Sequence, residues 1–331
     1  MVKRYLLFFL MRDRQKINLE QLSIRSRQSL GIIHKQDIQV VSQILELNQS
    51  EITVGDDCAA IPDGDGYLLL ATEGMWDVLV AEDPWFAGWC GVMVNVSDIA
   101  AMGGRAIAVV NTIWTENQAQ ALPLLEGMKA ASQAFNVPIV GGHTNLRSRF
   151  SSLGVAILGR SNKLISSFTA QRGDLLVVAV DFAGKMHPQF PFWNAATEST
   201  PDSLTKKVQI LPWLAEHDLC RTGKDISMGG IIGTLLMLIE SSHCGAVLNL
   251  DNVICPDGID LETWLLAFPS YGFLLSVSAN KLDTVKQKFN SEAIDCFLVG
   301  EITEGSQLII KSETEDHVFW DFNQHGAILY A

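Results

Sequence analysis

Two adjacent aspartates behind a glycine, set in an otherwise apolar stretch, constrain this chain more than any other feature. The stretch reads Val54-Gly55-Asp56-Asp57-Cys58-Ala59-Ala60-Ile61. Neighbouring carboxylates cannot both stay ionised cheaply once a fold buries them. A divalent cation would neutralise the pair, and hard oxygen donors of this kind suit Mg²⁺. Gly-Asp-Asp is also ordinary turn chemistry on a solvated loop. The stretch alone leaves both readings standing, so its neighbours must decide.

Residues 35–47 have helical spacing, with Ile38, Val41, Ile44 and Leu45 as the apolar positions. Asp63-Gly64-Asp65-Gly66 joins the apolar runs 58–61 and 67–71, which predicts a β-hairpin. Its second strand ends in Thr72 and Glu73, near Asp57. Pro84 opens a helix whose buried stripe is Trp85, Trp89, Val92, Val96 and Ile99. A second stripe, Gly91, Asn95, Asp98 and Met102, is either a solvated flank or a cleft-facing one. The small apolar run Ala100-Ala101-Met102-Gly103-Gly104 beside it favours the cleft. Asp98 then becomes a metal ligand and Asn95 its hydrogen-bonding neighbour. Residues 106–114 read as a strand, 116–135 as a helix containing Pro123, and 137–140 as a strand ending in Gly141-Gly142-His143-Thr144. Paired glycines after a strand let backbone amides approach a phosphate. A strand over 153–158, with Gly159 and Arg160 as a turn, closes the first domain. The order strand, helix, strand, strand, helix, strand suggests a ferredoxin-like α+β sheet.

In the second half, the turn 171–174 opens a strand over 175–180. The span 181–212 gathers Lys185, His187, Phe190, Phe192 and Trp193, either a packed aromatic cluster or the lip of a substrate pocket. Gly223-Lys224-Asp225-Ile226-Ser227-Met228-Gly229-Gly230 precedes a helix over 231–242, with Ser227 as the expected N-cap. The amides of that helix end could bind phosphate, or the motif is a capped helix and no more. Strands over 246–250 and 273–277, and a helix from Asn280, complete an α/β domain.

Taken in order, GDDCA, Thr72-Glu73, Asn95-Val96-Ser97-Asp98-Ile99-Ala100-Ala101-Met102-Gly103, Gly141-Gly142-His143-Thr144 and Asp225-Ile226-Ser227-Met228-Gly229 resemble one family. It is the ATP-binding family of aminoimidazole ribonucleotide (AIR) synthetase and thiamine-monophosphate kinase. The kinase pattern, which is the closer by motif, reads GDDxA, TD, N-x-SDxAAMG, GGDT and D-x-SDG. The resemblance implies a ferredoxin-like, dimer-forming N-terminal domain (31–165) and a C-terminal α/β domain (166–331), after a peripheral extension (1–30). It implies ATP and Mg²⁺ as cofactors, the metal held by Asp57, Glu73, Asp98 and Asp225, with Asp56 and Thr72 as further donors. Gly141, Gly142, His143, Ser227 and Asn95 would face the nucleotide. Met228, His187, Trp193 and Tyr271 would face the substrate.

Four departures bear on activity. Glu73 and His143 stand where the kinases have aspartate, and Met228 replaces the second aspartate of D-x-SDG. Phe268-Pro269-Ser270-Tyr271 replaces their Gly-Glu-Asp-Tyr. The resemblance therefore implies an ATP- and Mg²⁺-dependent phosphoryl-transfer enzyme acting on a small molecule other than thiamine monophosphate. An AIR-synthetase-like ligase activating an amide oxygen, and a nucleotide-binding scaffold without turnover, are the alternatives. A homodimer through the N-terminal domains is implied as well.

Composition excludes other classes. Across 331 residues, 37 Asp and Glu against 24 Lys and Arg give a net charge of −13, which argues against nucleic-acid or anionic-membrane partners. Six scattered cysteines include no CxxC pair and no zinc spacing, which suggests a reducing, cytoplasmic setting. The apolar run Tyr5-Leu6-Leu7-Phe8-Phe9-Leu10-Met11 is far short of the roughly twenty residues a bilayer requires. Met11 offers an alternative start.

Overall fold

The computed structural model describes residues 18–329; the apolar run at residues 5–11 and Met11 lie outside them. Two helices, α1 (Leu19–Arg27) and α2 (Leu30–Ile44), lead into the hairpin of β1 (Ala59–Asp63) and β2 (Gly66–Gly74). Asp63 pairs with Gly66 across the turn, as the Asp-Gly-Asp-Gly chemistry predicts. Then follow α3 (Asp77–Glu82), α4 (Pro84–Ala101), β3 (Arg105–Trp114), α5 (Gln118–Phe135), β4 (Ile139–Asn145) and β5 (Ser152–Ser161). These strands form one sheet in the order β1-β2-β5-β3-β4.

The α+β class holds, but the elements run strand, strand, helix, helix, strand, helix, strand, strand rather than strand, helix, strand, strand, helix, strand. The helix expected at 116–135 does lie between β3 and β4, and those two strands pair in parallel. Gly159 and Arg160, expected as a turn, lie inside β5 opposite Leu69 and Leu68. Burial alternates residue by residue along β5. Its inner residues Leu153, Val155 and Ile157 pack with Val92, Val96 and Ile99 of α4 and with Leu124 and Met128 of α5. Pro84 occupies the first turn of α4, and the Asp83 side chain caps it by accepting the Phe86 N–H at 3.1 Å.

The second half forms a seven-stranded sheet. Its strands are β6 (Leu175–Val180), β9 (Thr222–Asp225), β10 (Gly245–Asn249), β12 (Gly272–Val277), β13 (Asp295–Thr303), β14 (Gln307–Lys311) and β15 (Asp316–Asp321). The short strands β7 (Lys185–Met186), β8 (Phe192–Asn194) and β11 (Phe268–Pro269) form a separate small sheet. The helices are α6 (Pro201–Val208), α7 (Ile210–Glu216), α8 (Gly230–Ser241), α9 (Leu261–Leu265), α10 (Leu282–Ser291) and α11 (Phe322–His325). The run Leu-Leu-Val-Val-Ala-Val of β6 is buried on both faces, as continuous apolar strands are. Leu176, Val178 and Val180 join the core under α8, whereas Val177 and Ala179 join the core under α7 and α10.

Two expectations for the N-terminal segment are corrected. Residues 18–29 are not peripheral: Leu19 and Leu22 of α1 are buried in the same core as α8. The helix expected at 35–47 runs from Leu30 to Ile44, and Ile38, Val41, Ile44 and Leu45 are exposed, while Gly31 and Ile32 are its buried side. Among the described residues, no helix is long and apolar enough to cross a membrane.

Candidate functional site

The site is assembled by α4. Most of this helix is buried in the first domain, yet its last residues, Ala100 and Ala101, pack beside Ile165 and Val177 in the core of the second. That carries Asp98, one turn earlier, toward β9. The result is a cavity of about 470 Å³ lined by Asp56 and Asp57 from the loop before β1, Thr72 and Glu73 from β2, Asp98 from α4, and Lys224 and Asp225 from β9.

The two acids of the Gly-Asp-Asp turn are already satisfied by protein donors. The Lys224 ammonium hydrogen-bonds Asp57 Oδ1, and the Asp225 N–H donates to Asp57 Oδ2 at 3.2 Å. Asp56 Oδ2 accepts from Ser166 Oγ at 2.8 Å and from the Ser167 N–H at 2.9 Å. Lys224 Nζ stands 3.9 Å from Asp56 Oδ1.

Glu73, Asp98 and Asp225 are the open carboxylates. Among the described residues, none of the three makes a hydrogen bond or ion pair through its carboxylate, and Asp98 Oδ2 is buried without a partner. Burial, and then the charges of Asp225, Glu73 and Asp57, push Asp98 well above the usual carboxylate range. Burial, and then Asp57, push Asp225 to about 8 despite Lys224 and Lys35. Burial raises Glu73, with Lys35 opposing the shift and Asp57 adding to it. Hard, uncompensated oxygens are the chemistry that suits Mg²⁺, so the donor set fits such an ion. No group of three or more His, Cys, Asp or Glu among the described residues is arranged to hold a metal at once. The donors converge on the cavity without closing a coordination shell.

The other expected residues divide. Thr72 lines the cavity and donates its hydroxyl to Val155 O at 3.2 Å. Ser227 lines it too, but is not the N-cap: Gly229 holds that position in α8, and Ser227 Oγ is buried without a partner. Met228 and Trp193 line it, the Trp193 indole anchored by donating to Asp181 O at 2.8 Å. Asn95 does not bond Asp98; its amide donates to Gly91 O at 2.8 Å and Val155 O at 3.1 Å, which ties α4 to β5.

His187 sits behind the wall, stacked on Phe86 at 5.2 Å and 3.3 Å from Asp83. Tyr271 is buried in the core beside Phe273 and donates its hydroxyl to Lys207 O at 3.0 Å, so it does not face the cavity. Gly141, Gly142 and His143 lie on the edge strand β4 and are exposed. The sheet register runs Thr72, Ala156, Val110, Gly141, which puts the glycine pair three strand spacings, about 14 Å, from Thr72 and Glu73. Within one chain they do not join the acids.

Sequence reasoning missed six contributors to the cavity. Lys224 gave no signal beyond a lysine next to Asp225 in a short strand. Lys35 and His34 enter from α2, which lies so close to the second domain that a Cβ on Gly31 would stand 2.1 Å from Met228 O. Trp76, Phe86 and Phe268 complete the wall; only Phe268 stood in a motif that had been singled out.

Two α+β domains whose carboxylates meet in one shared cavity define the class of protein. Residues 55–161 match the AIR synthase related protein N-terminal domain, and residues 166–312 match the corresponding C-terminal domain. The chain belongs to the AIR synthase-related family. It is 54% identical over 312 residues to an uncharacterized protein of Synechocystis sp., covering 93% of this chain and 97% of that protein. It is 24% identical over 268 residues to the thiamine-monophosphate kinase of Methanospirillum hungatei, covering 77% and 88%. Among solved structures, AaThiL complexed with AMPPCP and TMP shares the fold, with a TM-score of 0.66, 17% identity, and coverage of 82% of this chain and 92% of that one.

Proposed function

We propose that the chain is an ATP- and Mg²⁺-dependent enzyme that transfers a phosphoryl group to a small molecule. The observation that carries this reading is the convergence of Glu73, Asp98 and Asp225 on one cavity, with a buried Asp98 oxygen left unpartnered. One or two of these side chains, with phosphate oxygens and water completing the shell, would hold the metal, and the Asp56–Asp57 loop would support it from behind. When bound, Mg²⁺ supplies charge neutralisation on the phosphates. Lys224 fixes Asp57 and gives the site a permanent positive charge. Ser227 keeps an uncommitted hydroxyl for a phosphoryl oxygen. In the transfer, an acceptor oxygen bonds to the γ-phosphorus, the bond to the bridging oxygen of ADP breaks, and the acceptor proton passes to water. Positioning and charge carry such a reaction, so the lack of an evident nucleophile is no obstacle.

The kinship with thiamine-monophosphate kinase and the ATP-analogue complex of the structural neighbour support nucleotide binding. Met228 and the Phe268-Pro269-Ser270 stretch, which lack the kinase acids, support a different substrate. The open face of the first sheet supports a homodimer: Leu70, Val110 and Val140 are 47%, 43% and 63% exposed there, and a second copy would cover them. One observation favours a second reading, a nucleotide-binding scaffold: the Asp57 carboxylate is already engaged by Lys224.

ADP formation by the purified chain with ATP and Mg²⁺, measured against Asp98→Ala, tests the proposal. Turnover that the variant loses supports it. Nucleotide binding without turnover favours the scaffold, and neither binding nor turnover with any divalent metal sinks both.

A further inference from the structure

We propose that the substrate of this cavity has a flat, apolar, uncharged body with one polar end, the body lying against an aromatic wall and the polar end toward Glu73, Asp98 and Asp225. The proposal deepens the phosphoryl-transfer reading and rests on it in taking the same cavity as the acceptor's site.

The cavity lining falls into two patches. The acids form one, linked through Lys224 and each other's fields. Trp76, Phe86, Phe192, Met228 and Phe268 form the other. Their rings hold one another in place. Trp76 meets Phe190 edge-on at 5.5 Å, Phe190 stacks on Phe192 at 5.6 Å, and Phe192 meets Phe268 at 89° and 5.9 Å. Phe86 is braced from behind by His187, 5.2 Å away. A wall fixed this way is preorganised, so little is lost in ordering it when a ligand arrives.

Three points turn this wall into a statement about the substrate. The volume, about 470 Å³, is that of a small-molecule pocket and far exceeds a packing defect in a close-packed core. Trp76, Met228 and Phe268 are half-buried, and the apolar surface they leave on the cavity favours an apolar occupant. Every Asp, Glu, Lys or Arg that lines the cavity belongs to the acidic patch or is Lys35, so a charged body against the rings would lose its hydration with no counter-charge in reach. Met228 and Ser270, which both line the cavity, stand where the resembling kinases carry a carboxylate that could have supplied one. The faces of the rings could instead hold a cation, which makes a cationic body the direct competitor.

Titration of the full chain with Mg²⁺ present, followed by tryptophan fluorescence from Trp76 and Trp193, tests this without turnover. The probes are benzyl phosphate (flat, apolar, uncharged body), ribose 5-phosphate (polar body) and thiamine monophosphate (cationic body). Benzyl phosphate is expected to bind at least about tenfold more tightly than either. Phe192→Ser should weaken benzyl phosphate by about tenfold and leave ribose 5-phosphate unchanged. Met228→Glu, on a half-buried position, should reverse the order of benzyl phosphate and thiamine monophosphate. Equal affinities, tightest binding of thiamine monophosphate by the wild type, or no binding of any probe overturns the proposal. Loss of ADP formation with the preference intact removes only the phosphoryl-transfer reading, and turnover without the preference removes only this one.

Discussion

Replacing Lys224 with methionine isolates what holds the Asp56–Asp57 turn. Lys224 is 4% exposed, with its ammonium on Asp57 and 3.9 Å from Asp56. The buried pair itself need not add net stability, since desolvation offsets the attraction. Removing one partner is another matter, because it leaves a buried charge uncompensated, at a cost of about 3–5 kcal/mol. Here two aspartates, Asp56 and Asp57, are left without their cation. For a domain of this size a loss on that scale lowers the melting temperature by roughly 10 °C. The assay is thermal unfolding in EDTA of wild type, Lys224→Met, Asp57→Asn and the double variant. The single lysine variant should fall by that amount, and Asp57→Asn on top of it should recover most of the loss, because the orphaned charge is then gone. Millimolar Mg²⁺ should raise Lys224→Met more than wild type, the ion taking the place of the ammonium. A loss under about 1 kcal/mol, or a double variant that simply sums the singles, would refute the view that Lys224 acts as a built-in counter-ion.

Asp98→Asn should raise the melting temperature in EDTA at neutral pH, because folding no longer has to protonate a buried carboxyl that is ionised in the unfolded chain, while lowering ADP formation at least about 100-fold; an unchanged rate would count against Asp98 as a metal ligand. Without metal, stability should fall as pH rises from about 4 to about 8. In that window the folded chain keeps a proton on Asp225, held near 8, that the unfolded chain has lost from a group with an ordinary value of 3.8. The slope is at most about 1.4 kcal/mol per pH unit for each such proton, and urea unfolding at a series of pH values with and without Mg²⁺ reads it, the metal flattening the slope. Leu70→Lys on the open sheet face should convert the proposed dimer to a monomer by light scattering, without loss of folding.

Local chemistry was legible where local chemistry decides. The Asp-Gly-Asp-Gly turn fixed the register of the first hairpin, and six apolar residues in a row marked a strand buried on both faces. The spacing of Trp89, Val92, Val96 and Ile99 found α4. Helical spacing misled at α2 because it identifies a helix without saying which side has a neighbour. Val41 and Ile44 face outward, Ile38 lines the cavity, and the close contact is made by Gly31, whose lack of a side chain admits the Met228 backbone. Gly159-Arg160 reads as a turn in isolation, and the ladder with β2 overrides it. Gly141 and Gly142 follow the acids in sequence, but two strands stand between them, and strand order is a property of the sheet.

Lys224 shows why the site itself was only half legible. Its partner Asp57 is 167 residues away, and no local pattern announces a pairing of that range. Apart from the Asp57 N–H, which donates to Asp56 Oδ1 within the turn, the donors to these carboxylates among the described residues are Ser166, Ser167, Lys224 and the Asp225 amide, all C-terminal to the first domain's last strand. The turn belongs to the first domain, yet its charge is balanced by the second. The open carboxylates divide the same way, Glu73 and Asp98 on one side and Asp225 on the other. Neither half alone has both the acids and the charges that steady them. The pocket's field therefore exists only when the two domains are packed; Phe190, Phe192, Ala196 and Leu204 reach into the first core, and Ala100 and Ala101 are small enough to let the end of α4 reach the second. A run of small residues one turn beyond an aspartate is thus the sequence's record of how closely the two domains must approach for the carboxylates to meet.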